Sequence, residues 1–311
     1  MRMLLDLDTG IDDALALAFA LAHPDIELVA VTGTYGNVTV EQGVANTTAL
    51  LKLLGAEDIP VYAGPQREDF HVKDISQFVH GANGLGGVEV SLGAPPAQGD
   101  AVEIMKQAAR DGAIIVATGP STTVAKACED DDFARNAKII MMGGALTVAG
   151  NVAPWAEANV SQDPAATDFL LRTAQDVTVV GLDVTLRTVL TREQVQQWRD
   201  TGSESGKTFA EIADYYVDAY AELSPQLGGC GLHDPLAVAV AIDPSLVECL
   251  PINLKVETVE PTPGRLIGDP DRIQEPAETT RVAIGVDAQR FTADFVARLE
   301  GLFGELGQRT L

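Results

Sequence analysis

Four aspartates lie close together near the N-terminus, directly after a short apolar run. In chain order the aspartates are Asp6, Asp8, Asp12 and Asp13, and Gly10 separates the two pairs. Carboxylates at this spacing repel one another unless solvent or a cation neutralises them, and Ca²⁺ and Mg²⁺ both prefer oxygen ligands. Because Gly10 permits a tight turn, we expect the carboxylates to gather around one point. The pattern predicts a metal-binding or catalytic site.

A purely structural reason accounts for only half of this cluster. Asp12 and Asp13 precede a helix predicted from Ala14 onward, and the helix dipole favours acidic residues at that end. The dipole does not explain Asp6 and Asp8, which follow an apolar strand. An EF-hand is excluded, because its sixth-position glycine and twelfth-position glutamate are both missing.

The elements around this cluster alternate between strands and helices. Short, nearly continuous apolar runs predict buried parallel strands at residues 3–7, 27–33, 113–118, 138–143, 177–182 and 281–286. Longer patterns predict helices at residues 12–22, 41–54, 101–110, 121–129, 164–174, 206–222 and 235–242. This alternation is typical of a doubly wound α/β sheet, in which ligands bind beyond the carboxyl ends of the strands. No linker divides the chain, so we expect a single domain over residues 1–311, with 257–280 as a surface excursion.

Composition narrows the range of partners and surroundings. The formal net charge of −24 opposes binding to nucleic acid, because such a surface repels phosphate backbones. The chain has no run of 18 unbroken apolar residues, so no membrane span is predicted. Its three cysteines are far apart and match no zinc spacing, which favours free thiols in a reducing cytoplasm.

A series of motifs between residue 3 and about residue 245 resembles the inosine–uridine-type nucleoside hydrolases. The motifs occur in the order found in that family. They are Asp6-x-Asp8-x-Gly10-x-Asp12-Asp13, Gly36-Asn37, His80-Gly81-x-Asn83-Gly84, Thr118-Gly119-Pro120, Met142-Gly143-Gly144, Gly150-Asn151, Ala156-Glu157-Ala158-Asn159, Asp163-Pro164, Gly181-Leu182-Asp183-Val184-Thr185 and His233-Asp234-Pro235.

The resemblance implies a fold, a reaction and a metal. The fold is a single-domain, Rossmann-like α/β structure with a mixed, mostly parallel central sheet and helices on both faces, assembled as a homodimer or homotetramer. The reaction is hydrolysis of the N-glycosidic bond of ribonucleosides to ribose and free base, by a calcium-bound water that Asp8 activates. The implied Ca²⁺ ligands are Asp8, Asp13, Asp234 and the backbone carbonyl of Thr118.

The same resemblance implies roles for polar residues around the substrate. Cleavage passes through an oxocarbenium-like state, which requires an activated water, stabilised positive charge on the ribose and help for the departing base. His233 is the candidate for the last requirement, although Asp234-Pro235 after it is also a good start for a helix. The other substrate-binding candidates are Asp12, Asn37, Asn151, Glu157 and Asn159, with His80 and Tyr220 expected in the base pocket.

The chain departs from the family pattern at a few positions, and other functions stay open. Ala158 replaces the Phe of several members, so the substrate preference of those members does not carry over, and purine versus pyrimidine is undecided. One alternative is a haloacid-dehalogenase-type phosphatase with Asp6 as nucleophile and Mg²⁺. Gly10 does not fit that family, and the acidic composition gives a phosphate substrate little support. The other alternative is a non-catalytic protein that binds a nucleoside or a pentose.

Overall fold

The computed structural model describes residues 1–309, and strands from the whole length of that range are joined in one central sheet. In chain order the strands are β1 (Arg2–Leu7), β2 (Glu27–Gly33), β3 (Val61–Ala63), β4 (Ile114–Ala117), β5 (Ile139–Met142), β6 (Val177–Val180), β7 (Val189–Leu190), β8 (Cys230–Gly231), β9 (Val247–Pro251), β10 (Leu254–Val256), β11 (Leu266–Gly268) and β12 (Thr280–Val286). Within the described residues the central sheet has eight strands in the order β3-β2-β1-β4-β5-β6-β12-β9.

This sheet confirms the predicted fold class and all six predicted strands. Neighbouring strands from β3 to β12 run parallel, and β9 pairs with β12 in the antiparallel direction. β4, β5 and β6 are buried throughout, because helices cover both faces of the sheet. Asp6 lies opposite Thr32 on β2 and Ala117 on β4. The segments that follow these three strands therefore leave the sheet at the same edge.

Helices connect the strands and cover the two faces of the sheet. They are α1 (Ile11–Ala22), α2 (Val40–Leu53), α3 (Asp74–His80), α4 (Ala101–Arg110), α5 (Thr122–Ala127), α6 (Asp131–Asn136), α7 (Ala158–Gln162), α8 (Pro164–Thr173), α9 (Leu182–Thr185), α10 (Arg192–Asp200), α11 (Glu204–Leu223), α12 (His233–Ile242) and α13 (Ala288–Arg309). Short 3₁₀ helices occupy Pro225–Leu227, Pro244–Leu246 and Pro270–Arg272.

Two apolar helices position the site. α1 is buried from Ile11 to Ala20, and α12 is buried from His233 to Ala241, so each is enclosed by protein on every side. The two helices pack against each other, and both begin at the edge of the sheet where β1 ends. Their first turns therefore bring polar residues from distant parts of the sequence to one place.

Several elements differ from the prediction. α1 begins at Ile11, one residue before the predicted range 12–22 and three before Ala14, so Asp12 and Asp13 lie inside its first turn. The excursion at 257–280 contains β11, which pairs with β10 in a short antiparallel hairpin. β3, β9, α3 and α10 were not predicted; β3 spans three residues and β9 ends in a proline, so neither has a strong strand pattern. The single domain 1–311 stays a prediction, and its residues 310–311 lie outside the described residues.

Candidate active site

A cluster of buried carboxylates lies where α1 and α12 begin. Asp12, Asp13 and Asp234 each offer a carboxylate oxygen, and these oxygens lie within 4.8 Å of one another. Each residue is at most 7% exposed, so water cannot fully screen their mutual repulsion. The first turns of two helices favour negative charge, but only by about 1 kcal/mol each. A divalent cation would neutralise this arrangement.

Asp8 lies next to this cluster and is fully buried. Its Oδ2 accepts a hydrogen bond of 2.7 Å from the backbone N–H of Asn37. Its Oδ1 has no hydrogen-bond partner among residues 1–309. Gly36 makes this approach feasible, since a Cβ atom there would lie 1.9 Å from Asp8 Oδ2. One oxygen of Asp8 is thus held in place and the other is left for a cation or a proton.

Thr118 completes the floor of the cluster at the end of β4. Its hydroxyl donates to Asp13 Oδ1 at 2.7 Å. Its backbone carbonyl accepts from the Asn159 side chain at 2.6 Å, and a carbonyl oxygen has a second lone pair for a cation. The carboxylate and carbonyl oxygens gathered here are the donor set that Ca²⁺ and Mg²⁺ prefer. The cluster could therefore hold a metal ion.

Burial determines the acidity of these carboxyl groups. It raises the pKa values of Asp8 and Asp234 well above the ordinary range, and the neighbouring carboxylates add to the increase. Burial raises the pKa of Asp12 to about 6 and also raises that of Asp13, where the charge of Asp12 contributes. All four shifts favour the protonated form of the carboxyl groups when no cation is bound. The unpartnered oxygens and the raised pKa values both fit a metal site.

The loop between β5 and α7 supplies another set of polar residues. Glu157 is 2% exposed and accepts hydrogen bonds from the backbone N–H groups of Gly144, Asn159 and Val160. Burial raises the pKa of Glu157, and these three hydrogen bonds oppose the increase. Asn151 Oδ1 accepts from the backbone N–H of Ala158 at 3.0 Å. Asn151, Glu157 and Asn159 all line the pocket, where they offer donors and acceptors suited to hydroxyl groups.

His80 and Asn37 close over the start of α1. The backbone N–H of Ile11 donates to His80 Nδ1 at 3.1 Å, so the neutral ring carries its hydrogen on Nε2. Burial lowers the pKa of His80 to about 4, which keeps the ring neutral. Asn37 donates from Nδ2 to Asp13 Oδ2 at 3.3 Å. Both side chains need Gly10, since a Cβ there would lie 2.6 Å from His80 Nδ1 and 2.7 Å from Asn37 Nδ2.

Two tyrosines of α11 and one histidine of α12 form the opposite wall. Tyr216 donates to Asp12 Oδ2 at 3.2 Å, and its ring contacts those of His80 and Tyr220. The hydroxyl of Tyr220 lies 2.5 Å from His233 Nε2. Burial lowers the pKa of His233 to about 4, so the ring is neutral at pH 7. This wall can hydrogen-bond to a substrate without adding a charge.

The pocket in front of these groups has a volume of about 340 Å³. Polar side chains line much of it, including the carboxylates of Asp12 and Asp234. Apolar residues also line it, among them Ile75, Val79, Leu186 and Leu223. A ligand that combines hydroxyl groups with a flat, less polar part fits this mixed lining.

The structure brings all the predicted site residues together. Eight residues predicted as substrate contacts or catalytic groups line the pocket, together with two of the predicted metal ligands. Of the other two predicted ligands, Asp13 shares the carboxylate cluster with Asp12 and Asp234, and Asp8 accepts a hydrogen bond from Asn37. The lining residues are Asp12, Asn37, His80, Thr118, Asn151, Glu157, Asn159, Tyr220, His233 and Asp234. Their individual roles stay predictions.

Other residues of the pocket were missed by the sequence analysis. Tyr216 was missed although it lies four positions before Tyr220, a spacing that places both on one helix face. The apolar residues that line the pocket give no sequence signal, because buried core and pocket lining share the same residue types.

Comparison with known proteins identifies the family. The sequence model of the family described as inosine-uridine preferring nucleoside hydrolase matches residues 3–293. The chain belongs to this family. A pyrimidine-specific ribonucleoside hydrolase, RihA, from Salmonella paratyphi B is 33% identical over 309 residues, which cover 96% of this chain and 98% of the relative.

Solved structures of nucleoside hydrolases share this fold over nearly the whole chain. A purine-preferring ribonucleoside hydrolase from Gardnerella vaginalis is 46% identical with a TM-score of 0.95, covering 98% of this chain and 100% of the other. A plant nucleoside hydrolase, PpNRh1, is 32% identical with a TM-score of 0.88, covering 96% and 98%. The predicted family, fold class and enzyme class are confirmed: the protein is a ribonucleoside hydrolase.

These findings do not favour the alternatives. Asp6, the nucleophile of the phosphatase hypothesis, is fully buried and accepts a hydrogen bond of 2.6 Å from the Thr32 hydroxyl. Burial raises its pKa to about 7, so the carboxyl group is partly protonated at neutral pH. Among the described helices, none has the length and apolar character needed to cross a bilayer. The homodimer or homotetramer, the lack of a nucleic-acid partner and the cytoplasmic location stay predictions.

Proposed function

We propose that this nucleoside hydrolase uses Asp8 as the general base on a water molecule and Ca²⁺ as its metal. The proposed ligands are Asp8, Asp13, Asp234 and the carbonyl of Thr118. The observations that carry the proposal are the buried carboxylate cluster of Asp12, Asp13 and Asp234 and, next to it, Asp8 Oδ1, which has no hydrogen-bond partner within residues 1–309. When bound, the ion would orient a water molecule and lower its pKa.

Asp8 has the geometry that a base in this reaction requires. Its Oδ2 is held by the backbone of Asn37, so the carboxylate cannot rotate freely. Its Oδ1 then accepts the proton of the water, whose oxygen forms the new bond to C1′ of the ribose. Fixing the base and the reacting water in one place lowers the entropic part of the barrier.

The ribose would lie on the polar floor of the pocket. Asp12, Asn151, Glu157 and Asn159 offer the oxygens and amide hydrogens that its hydroxyl groups need. The carboxylates also stabilise the positive charge that develops on the ring. We expect 2′-deoxyribonucleosides to be poor substrates, because they lack one of the hydroxyls that these residues bind.

The base would lie against the apolar wall beside Tyr220 and His233. Breaking the C1′–N bond leaves an electron pair on the base nitrogen, and a hydrogen-bond donor must stabilise it. The tyrosine hydroxyl and the imidazole are the neutral groups available on this side. The similar proteins named above have opposite preferences, pyrimidine in one and purine in the other. Substrates of both kinds therefore belong in the first test.

The test is release of reducing sugar from a panel of purine and pyrimidine ribonucleosides. The protein is assayed with Ca²⁺, with Mg²⁺ and after chelation. We expect ribose release with Ca²⁺, loss of activity with chelator and recovery when Ca²⁺ is returned. Full activity in chelator would refute the metal role, and recovery with Mg²⁺ but not Ca²⁺ would refute the choice of ion.

A further inference from the structure

The loop between β5 and α7, residues 143–157, carries two of the proposed ribose contacts, and we call it the ribose loop. It contains no helix and no extended strand. Glu157 is held there by three backbone N–H groups, but Asn151 is exposed and accepts one hydrogen bond, from the N–H of Ala158. The Nδ2 atom of Asn151 has no partner within residues 1–309. Its orientation in the pocket therefore depends on how the backbone around it is held.

The backbone on both sides of Asn151 is bonded to the backbone on both sides of Trp155. Each neighbour of Asn151 donates its N–H to the carbonyl of a neighbour of Trp155, at 3.2 and 3.3 Å. These two bonds join Gly150 to Pro154 and Val152 to Ala156. The position of Trp155 therefore determines where Asn151 lies.

Trp155 and the residue after it contact the hairpin that β10 and β11 form. The half-buried indole of Trp155 donates from Nε1 to the carbonyl of Pro263 at 3.1 Å. Ala156 forms an isolated antiparallel β-bridge with Arg265. Gly264 lies between these two contacts, where a Cβ would be 3.1 Å from that of Ala156. The ribose loop thus packs against three consecutive residues of the hairpin.

The hairpin itself is fixed to the body of the protein. Leu254, Val256 and Leu266 are at most 3% exposed. The backbone N–H of Val256 donates to Asp168 Oδ1 of α8 at 2.9 Å, and β10 packs along this helix. Buried apolar contacts of this kind open far less often than an exposed loop does. The hairpin can therefore serve as a rigid support.

We propose that this hairpin is a positioning element for the ribose loop, and that Trp155 is the positioning residue that joins the loop to it and so orients Asn151. The inference rests on the proposed function, since it concerns the ribose that is placed there. A loop that already has its bound shape loses less conformational entropy when the substrate binds. Asn151 contacts a hydroxyl group and not the bond that breaks, so ground state and transition state gain equally. The expected signature is a change in KM without a change in kcat.

The first test removes the indole N–H and keeps an aromatic ring at this position. For Trp155→Phe we expect KM for the best ribonucleoside of the panel to rise about 3- to 10-fold, equivalent to one ordinary hydrogen bond. We expect kcat to stay within about 2-fold of the wild type. Trp198, the second of the two tryptophans, provides the matched control, because its Nε1 donates to the Val296 carbonyl in the core. Trp198→Phe should lower Tm and leave KM unchanged.

A double-mutant cycle tests whether Trp155 acts through Asn151. We expect Asn151→Ala to raise KM about 10-fold, and the double variant to stay within about 2-fold of Asn151→Ala alone. Increases that multiply in the double variant would overturn the inference. So would a wild-type KM in Trp155→Phe beside a raised KM in Asn151→Ala. A wild-type KM in Asn151→Ala would instead refute the ribose placement of the proposed function.

A second pair of variants approaches the same contact from the hairpin. Gly264 and Gly112 have φ angles of +84° and +83°, so alanine strains the backbone equally at both. A Cβ at Gly264 would press on the ribose loop, whereas a Cβ at Gly112 meets no atom within 4 Å. We expect a raised KM and faster hydrogen exchange at residues 150–156 in Gly264→Ala and not in Gly112→Ala. Unchanged KM and exchange in Gly264→Ala would overturn the inference even if Trp155→Phe did not fold.

Discussion

Asp8 has two proposed roles, as a metal ligand and as the general base. Its two oxygens have different surroundings, because one is held by the Asn37 backbone and the other has no partner within the described residues. Most buried carboxylates have both oxygens satisfied, so an unpartnered oxygen in a pocket floor indicates a missing ligand. Asp6 and Asp12 share this pattern, with Thr32 and Tyr216 as the partners of their other oxygens, so the choice of Asp8 as the proposed base rests on the family resemblance.

We expect Asp8→Asn to lower kcat at least about 10²-fold, because the amide cannot accept the proton of water. The side chain keeps its size, so thermal unfolding monitored by circular dichroism should show a folded protein. Steady-state ribose release is the measurement, and Asp25→Asn on the exposed surface serves as the control. Wild-type turnover in Asp8→Asn would contradict the proposed mechanism.

Gly36 allows the carboxylate of Asp8 to occupy its position. A Cβ at Gly36 would lie 1.9 Å from Asp8 Oδ2 and 2.8 Å from Pro120 Cδ. We expect Gly36→Ala to displace the carboxylate and weaken Ca²⁺ binding at least about 10-fold, or 1.4 kcal/mol, measured by isothermal titration calorimetry. Gly301→Ala is the control, since its Cβ meets no atom within 4 Å. Unchanged affinity in Gly36→Ala would show that Asp8 does not bind the ion.

Among the elements, α9 connects two parts of the site. Its first turn carries Asp183, which is 6% exposed and accepts hydrogen bonds from the backbone N–H groups of Leu146 and Thr147 and from the Thr147 hydroxyl. The segment that it holds leads to Asn151 and Glu157. A short helix thus anchors the loop between β5 and α7, the proposed ribose loop, through Asp183 and contacts His233 through Thr185.

We expect Asp183→Ala to raise KM for every riboside about 10-fold, because the ribose loop loses three hydrogen bonds and with them its preorganisation. Hydrogen exchange at residues 146–157 should increase in parallel. Asp100→Ala removes a comparable carboxylate from the start of α4 and should cost about 1 kcal/mol of stability without changing KM. A KM that stays at the wild-type value in Asp183→Ala would argue against this anchoring role.

At the scale of the whole molecule, negative charge is concentrated inside as well as outside. The net charge of −24 adds a long-range repulsion to the short-range repulsion of the carboxylate cluster. The folded protein raises the pKa of Asp12 from 3.8 to about 6, and those of Asp8 and Asp234 shift in the same direction. A cation at the cluster would reduce the repulsion between the carboxylates and lower their pKa values.

These shifts predict how calcium stabilises the protein at different pH values. When the folded-state pKa exceeds the unfolded one, ionising the group costs stability as pH rises above the unfolded value. For Asp12 this loss extends from about pH 4 to beyond pH 6 in the metal-free protein. Bound Ca²⁺ removes the loss, so the difference in Tm between calcium and chelator should grow from pH 5 to pH 8.

Differential scanning fluorimetry at several pH values is the measurement for this prediction. Asp234→Asn should flatten the pH dependence, because it removes one of the coupled carboxylates and one proposed ligand. A Tm difference that is constant from pH 5 to pH 8 would mean that the carboxylates do not gain a proton in the metal-free protein.

Local patterns were enough for much of the fold. The six predicted strands are present. Short, continuous apolar runs form buried strands in a chain where strands alternate with helices. β3 and β9 were missed because three residues, or five with a terminal proline, contain too little pattern. α1 begins at Ile11, before both Ala14 and the predicted range 12–22, because the hydrogen bond from Ile11 to His80, a long-range contact, satisfies the helix start.

The sequence by itself determined the family, the order of the main elements and the chemical types gathered at the sheet edge. Composition, periodicity and motif spacing are properties of neighbouring residues, so they can be read along the chain. Only the tertiary structure decided which of those residues meet. Asp12 joins Asp234 in one cluster, Tyr216 reaches Asp12, and Thr185 reaches His233. These contacts depend on how α1, α9, α11 and α12 pack, and packing is set by side chains throughout the core.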